Sequence, residues 1–201
     1  EAHFTDNVDF VLKTVSVGFS GYLFVIVTHT RDVDLLSETL FQTYTGFIPQ
    51  SLRFAAAHMA TLGEELEPLH GHNYEVSCRV EGPLTSDGWV MDFSVLKRLV
   101  REVCERLDHR FLLQMRSPLL EIMERGDSVT IKHGVNSYVF PAKDVARLPI
   151  TNTTAELLAE WIANEVRASL PWDYDNIRRI LVNVGEMPGQ SAGFTLSIPS
   201  F

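Results

Sequence analysis

His70-Gly71-His72 sets two imidazoles two residues apart, and a third, His58, ends the apolar run Phe54-Ala55-Ala56-Ala57. Beyond His72, Tyr74, Val76, Cys78 and Val80 alternate with Glu75, Ser77, Arg79 and Glu81, the pattern of a half-buried strand. Side chains two apart on a strand share a face, so His70 and His72 point the same way. Neutral imidazole is a common zinc ligand, and three protein ligands leave a fourth tetrahedral position for water or substrate, as a catalytic zinc requires. His58, His70 and His72 are therefore candidate metal ligands. The competing reading is three separate histidines with structural roles.

The elements that must position these residues follow from hydrophobic period. Phe47 to His58 reads as a strand with Pro49 near its start, and Met59 to Leu69 as a loop broken by Gly63 and Pro68. The strand His70 to Val80 follows, then turn signals at Gly82-Pro83 and Ser86-Asp87-Gly88 before Trp89-Val90-Met91. From Asp92 the period changes. Val95, Leu96, Leu99, Val100, Val103, Cys104 and Leu107 recur at three and four, which predicts an amphipathic helix capped by Asp92 or Ser94, with Cys104 a packed thiol on its stripe. Val129 to Lys132 and Ser137 to Phe140 read as a hairpin across His133-Gly134-Val135-Asn136, with His133 a solvated turn residue. Thr153-Thr154-Ala155-Glu156 has capping-box spacing and opens a second amphipathic helix stopped by Pro171. Ile180, Val182 and Val184 form a strand, Pro188-Gly189 a turn, and Phe194 to Ile198 the last strand. Hairpin-type connections with two long helices predict an α+β fold, an antiparallel sheet backed by helices on one face.

Composition narrows the function classes. The 201 residues, 45% apolar, suffice for one domain with a real core. Only Cys78 and Cys104 occur and no CxxC, so no disulfide framework is expected and a cytoplasmic, reducing location is the simplest expectation. A formal charge of -9 and a pI near 5.2 argue against a nucleic-acid surface, while leaving room for a local basic pocket for a small anion. Val15 to Val27 is apolar but too short to span a membrane, and Glu1, Asp6 and Asp9 are the wrong flank for a signal peptide. That segment reads as one or two buried strands, and Asp32 to Thr43 as a short helix.

Five clusters combine: FAAAH ending at His58, LHGHNY from Leu69, LDHR from Leu107, TTAE from Thr153, and Glu186 in VNVGE with GQSA after it. Together they resemble the 6-pyruvoyl-tetrahydropterin synthase and 6-carboxytetrahydropterin synthase family over roughly Phe54 to Ala192. Residues 1–46 resemble nothing in that family and are read as an N-terminal extension packed on, or continuous with, a domain over 47–201. The resemblance implies the tunnelling fold, in which a four-stranded antiparallel sheet carries two helices on one face. It implies a homo-oligomer, trimer or hexamer, whose sheets close into a barrel with sites at subunit boundaries. It also implies a zinc enzyme acting on 7,8-dihydroneopterin triphosphate. By that resemblance His58, His70 and His72 hold zinc, and Asp108 and His109 serve proton transfer from a neighbouring subunit. Glu186 anchors the pterin ring, with Thr154 beside it. Zinc held by neutral histidines acidifies vicinal side-chain hydroxyls. A buried carboxylate matches the pterin's amino and ring N–H donors, and so both orients and selects. On residues alone, Glu186 also reads as a surface carboxylate at a strand end, and Asp108-His109 as a helix C-terminal pair.

One position departs from the family. Its usual proton-transfer cysteine stands four residues before the first histidine of HGH, where this chain has Leu66, which neither accepts nor donates a proton. Cys78 shares strand parity with His72 but lies roughly 20 Å farther along it. Glu67, in the same loop as Leu66, is the candidate replacement, with a solvated acidic loop of Glu64, Glu65 and Glu67 as the competing reading. A glutamate here resembles the subset of the family in which a carboxylate replaces or accompanies the cysteine. In that subset the side chain is cleaved to leave 6-hydroxymethyl-dihydropterin, a folate precursor. The expected function is a zinc-dependent pterin synthase or lyase giving a 6-substituted pterin. The alternatives are the hydroxymethyl-forming variant and a catalytically silent zinc- and pterin-binding homologue. The stretch 113–150, longer than the simplest members need, is expected to form a lid or a subunit contact.

Overall fold

The computed structural model describes residues 44–199. The strands expected in Val15 to Val27 and the helix expected in Asp32 to Thr43 lie outside the described residues. In chain order, β1 (Tyr44–His58) leads through β2 (Thr61–Leu62) and β3 (Glu65–Leu66) into β4 (His70–Gly82). Helix α1 (Phe93–Leu107) precedes β5 (Arg110–Gln114), and β6 (Glu121–Arg125), β7 (Ser128–His133) and β8 (Asn136–Pro141) follow. The chain continues with β9 (Val145–Leu148), α2 (Ala155–Ala168), β10 (Arg179–Met187) and β11 (Gln190–Ser197).

The main sheet has six strands in the order β11-β10-β4-β1-β5-β9. Its first four are antiparallel neighbours, as the sequence pattern predicts. The sheet is nevertheless mixed, because β5 pairs parallel to β1 and β9 parallel to β5. Parallel neighbours need a crossover, and α1 lies within the connection that brings the chain back beside β1.

Both helices cover one face of this sheet. Alternation along the strands turns Phe54, Tyr74, Val76, Cys78, Val80, Ile180, Val182 and Val184 inward, where Leu96, Leu99, Val103, Leu158, Ile162 and Val166 of the helices meet them. Cys104 is buried among them, and burial pushes both its thiol and that of Cys78 up to about 12, so both are packed thiols. Asp92 caps α1 by accepting from the Ser94 amide at 2.7 Å. At α2 the capping box is not formed. The cap is Thr154, whose hydroxyl accepts from the Leu157 amide at 3.5 Å, because Thr153 is fully buried and turned to His58.

The loop expected over Met59 to Leu69 is partly ordered into the β2–β3 hairpin. Gly63, at φ 62°, takes the first turn position, where a two-residue hairpin favours glycine. The hairpin expected at 129–140 gains a third strand, β6, and makes an antiparallel sheet of its own. That sheet buries Val129 and Ile131 against Met59, Phe111, Leu113 and Val145, with Leu66, Tyr138 and Phe140 closing the edges. His133 belongs to the strand rather than to the turn, and is half-buried. It ends β7, and its Nε2 lies 3.0 Å from the Glu64 carbonyl, tying the small sheet to the β2–β3 hairpin. Among the described residues no helix is long and apolar enough to cross a membrane.

Candidate active site at the histidine cluster

Strand register assembles the cluster. His58 and His70 are cross-strand partners of β1 and β4, Ala56 stands opposite His72, and Phe54 stands opposite Tyr74. Directly opposite residues hold their Cβ atoms within roughly 4.5–5.5 Å. The parity of β4 adds His72 to the same face, and the small Ala56 leaves it room. One ring nitrogen from each histidine lies within 4.8 Å of the others. Gly71, between them, faces the other way. A Cβ there would stand 2.8 Å from the Ala56 carbonyl oxygen and 3.4 Å from Ala57 Cα.

The hydrogen bonds behind the rings decide what they can bind. His58 Nδ1 lies 3.1 Å from the Thr153 carbonyl and 3.2 Å from its hydroxyl, and His70 Nδ1 lies 2.7 Å from the Pro68 carbonyl. A carbonyl only accepts, so each Nδ1 carries the proton and each Nε2 presents a lone pair. Those two Nε2 atoms face each other at 3.1 Å. Two lone pairs at that distance repel unless a cation lies between them. Tetrahedral zinc places ligand nitrogens about 3.4 Å apart. Burial first, and then His70, lowers the His58 pKa to about 4, which keeps its ring neutral as a ligand must be. The donor set fits a metal ion, with Thr153 and Pro68 orienting two of the three rings.

The cluster opens into a cleft of about 540 Å³ whose walls include Glu67, Thr154, Glu156 and Glu186. Glu186 belongs to β10 where the register with β11 shifts between Gly185 and Met187, and such an irregularity re-aims a side chain out of the ladder. Glu67 is held at its backbone, its amide donating to the Ala60 carbonyl at 2.9 Å. Glu64 and Glu65 are exposed on the hairpin and do not line this cleft, so the structure separates Glu67 from its acidic neighbours. Beneath the histidines, Tyr74 is fully buried, stacked on Phe54 at 4.7 Å and edge-on to His72 at 5.4 Å. Its hydroxyl is buried with no hydrogen-bond partner among the described residues. Burial, and then the carboxylates of Glu186 and Glu67, push its phenol well above the ordinary value, so it keeps its proton.

Asp108 and His109 do not line the cleft. Asp108 ends α1, and its Oδ1 accepts from the Ala55 amide at 2.7 Å, while the His109 amide donates to the Ala55 carbonyl at 2.7 Å. His109 adopts φ 55°, the one positive φ among the described non-glycine residues. Its Nδ1 sits 2.8 Å from Asp108 Oδ2, and its ring is 83% exposed beside a groove that includes His72 and Asn73. The Ala55 amide, and then desolvation working against it, leave the Asp108 carboxyl below the usual carboxylate range. The sequence pattern missed the parts of Thr153, Pro68 and Tyr74. Thr153 carried the signal of a helix cap, and nothing local distinguishes that from a buried partner of a distant histidine.

The model of the family described as 6-pyruvoyl tetrahydropterin synthase matches residues 48–196. The chain belongs to that family. A Methanocaldococcus jannaschii protein provisionally named a 6-carboxy-5,6,7,8-tetrahydropterin synthase is 35% identical over 143 residues, which cover 70% of this chain and 88% of that one. The dihydroneopterin monophosphate aldolase of Pyrococcus furiosus is 33% identical over 120 residues, 60% of this chain and 74% of that one. Among solved structures, the 6-pyruvoyl tetrahydropterin synthase of Plasmodium vivax superposes with a TM-score of 0.73 at 34% identity, covering 78% of this chain and 99% of that one. Variants of the same enzyme with a catalytic glutamate replaced by alanine or by cysteine superpose equally well. As a member of the 6-pyruvoyl tetrahydropterin synthase family, this chain has the α+β tunnelling fold, with the histidine cluster at one end of its central strands.

Proposed function

We propose that this chain is a zinc-dependent pterin lyase that converts 7,8-dihydroneopterin triphosphate to a 6-substituted pterin of the pyruvoyl class. The observation that carries the proposal is the pair of Nε2 lone pairs converging at 3.1 Å, at the foot of a cleft that also holds Glu67 and Glu186. Bound by His58, His70 and His72, zinc supplies a Lewis acid that polarises substrate oxygens. Glu186 accepts from the pterin's amino and ring N–H groups, and Thr154 lines the same cleft. Glu67 takes the proton from the side-chain carbon, the task for which Leu66 is unfit. Asp108 holds the proton of His109 on Nδ1, which leaves Nε2 free to accept or return a proton. The exposure of this pair, away from the chain's own cleft, supports its delivery to a neighbouring subunit's site in a trimer or hexamer. A catalytic glutamate in the Plasmodium vivax relative supports the role given to Glu67.

A second product class has its own support. Glu67 beside Leu66, together with similarity to the aldolase of Pyrococcus furiosus, favours cleavage of the side chain to a 6-hydroxymethyl pterin. Incubating zinc-loaded protein with 7,8-dihydroneopterin triphosphate and identifying products by mass spectrometry separates the two. Intact zinc and pterin binding without turnover would defeat the enzyme proposal for this substrate. Glu67→Ala should lower kcat by at least about 100-fold with zinc content unchanged. Full rate in that variant would move the proton carrier elsewhere, with His109 next in line.

A further inference from the structure

We propose that Asn152 is a positioning residue that fixes the metal site and Glu67 relative to each other; the inference rests on Glu67 being the proton carrier. The Asn152 side chain joins two segments ninety-one residues apart in sequence. Its Oδ1 accepts from the Thr61 amide at 2.8 Å and from the Thr153 amide at 2.9 Å, while its Nδ2 donates to the Thr61 carbonyl at 2.8 Å. An amide side chain matches both backbone groups of Thr61 as a strand partner would. A carboxylate lacks the donor and an alkyl group lacks both, while a hydroxyl offers donor and acceptor only from a single atom, so none spans the Thr61 N–H and C=O as the amide's two atoms do.

Each end of this bridge leads to one half of the site. On one side Thr153 holds His58 Nδ1 through its carbonyl at 3.1 Å and its hydroxyl at 3.2 Å. On the other side Thr61 opens β2 and pairs with Leu66, and the Glu67 amide donates to Ala60 at 2.9 Å. The chain from His58 to Thr61 therefore closes a ring through Asn152 and Thr153 back to His58. The β2–β3 hairpin has two residues in each strand, too few to hold itself in water. Asn152 makes two bonds to that hairpin at the point where it leaves the metal site.

Two variants separate this role from general support of the fold. Asn152→Asp keeps the acceptor for the Thr61 and Thr153 amides but sets a carboxylate oxygen against the Thr61 carbonyl. It should speed amide exchange at Thr61 and Glu67 at least about 10-fold. Its kcat should fall about 10-fold or more, with KM and zinc affinity near wild type. Asn152→Ala also releases Thr153, and should in addition weaken zinc binding by about 10- to 100-fold in chelator competition. Wild-type amide exchange and kcat in Asn152→Asp, with any loss confined to thermal stability, would overturn the proposal, and this holds even if Asn152→Ala does not fold. Failure of the Glu67 role has a different signature: Glu67→Gln would keep its rate, while exchange and zinc affinity in the Asn152 variants would still report the positioning.

Discussion

At Gly71 the backbone leaves no room for a single added methyl group. Its neighbours on β4, His70 and His72, need β1 close enough for His58 to reach them, and a Cβ at 71 would meet the Ala56 carbonyl at 2.8 Å. Backbone cannot yield as a flexible side chain would. Gly71→Ala should therefore part the strands at the cluster and weaken zinc binding about 10-fold or more, measured by chelator competition, while α1 and α2 remain folded by circular dichroism. Asp108 offers a test of electrostatics at the same scale. Its folded pKa lies below the ordinary carboxylate value, so its contribution to stability is fully present above that value and is lost as pH falls through the lowered one. Asp108→Ala, which also orphans the Ala55 amide, should cost about 1–2 kcal/mol in urea unfolding at pH 7. The difference from wild type should narrow as pH falls below the ordinary carboxylate range. A gap that stays constant with pH would show that the charge contributes nothing.

At the scale of elements, β4 and α1 were legible because each satisfies one period. Alternation marks His70, His72 and Tyr74 on one face of a strand, and the three-four spacing from Val95 to Leu107 describes the helix whose buried stripe includes Leu96, Val103 and Leu107. The small sheet of β6, β7 and β8 was half legible. Two of its strands carry alternation, whereas Glu121–Arg125 is too polar to be distinguished from a loop until β7 pairs with it. This sheet owes its place to a separate core, in which Ile131 is fully buried. Ile131→Ala should cost about 2–4 kcal/mol by urea unfolding, with the zinc-to-chain ratio unchanged because the three histidines belong to the main sheet. Loss of zinc in that variant would mean that the small sheet shapes the cluster as well as supporting it.

At the scale of the whole molecule, the chain places two sets of chemical groups apart. His58, His70, His72, Glu67 and Glu186 share one cleft, while Asp108 and His109 are pinned to Ala55 outside it. If sites are completed between subunits, Glu67→Ala and His109→Ala proteins, each inactive, should regain roughly a quarter of wild-type activity when co-assembled at equal ratio, since a site then draws each intact residue half the time. No recovery in verified mixed oligomers would place both functions within one chain.

By itself the sequence determined the face shared by His70 and His72, the amphipathic helices, and the candidacy of Glu67 where Leu66 stands in place of a cysteine. The first two depend on residue type and local period, and the third on the resemblance of the surrounding motifs to the family. Tertiary structure alone decided that His58 lies opposite His70, that Thr153 is a buried partner rather than a cap, and that β5 and β9 make the sheet mixed. It also decided that Glu67 reaches the cleft while Glu64 and Glu65 do not. The physical reason is that register, crossover and the destination of a buried polar group are set by contacts between segments distant in sequence, and no local periodicity encodes them.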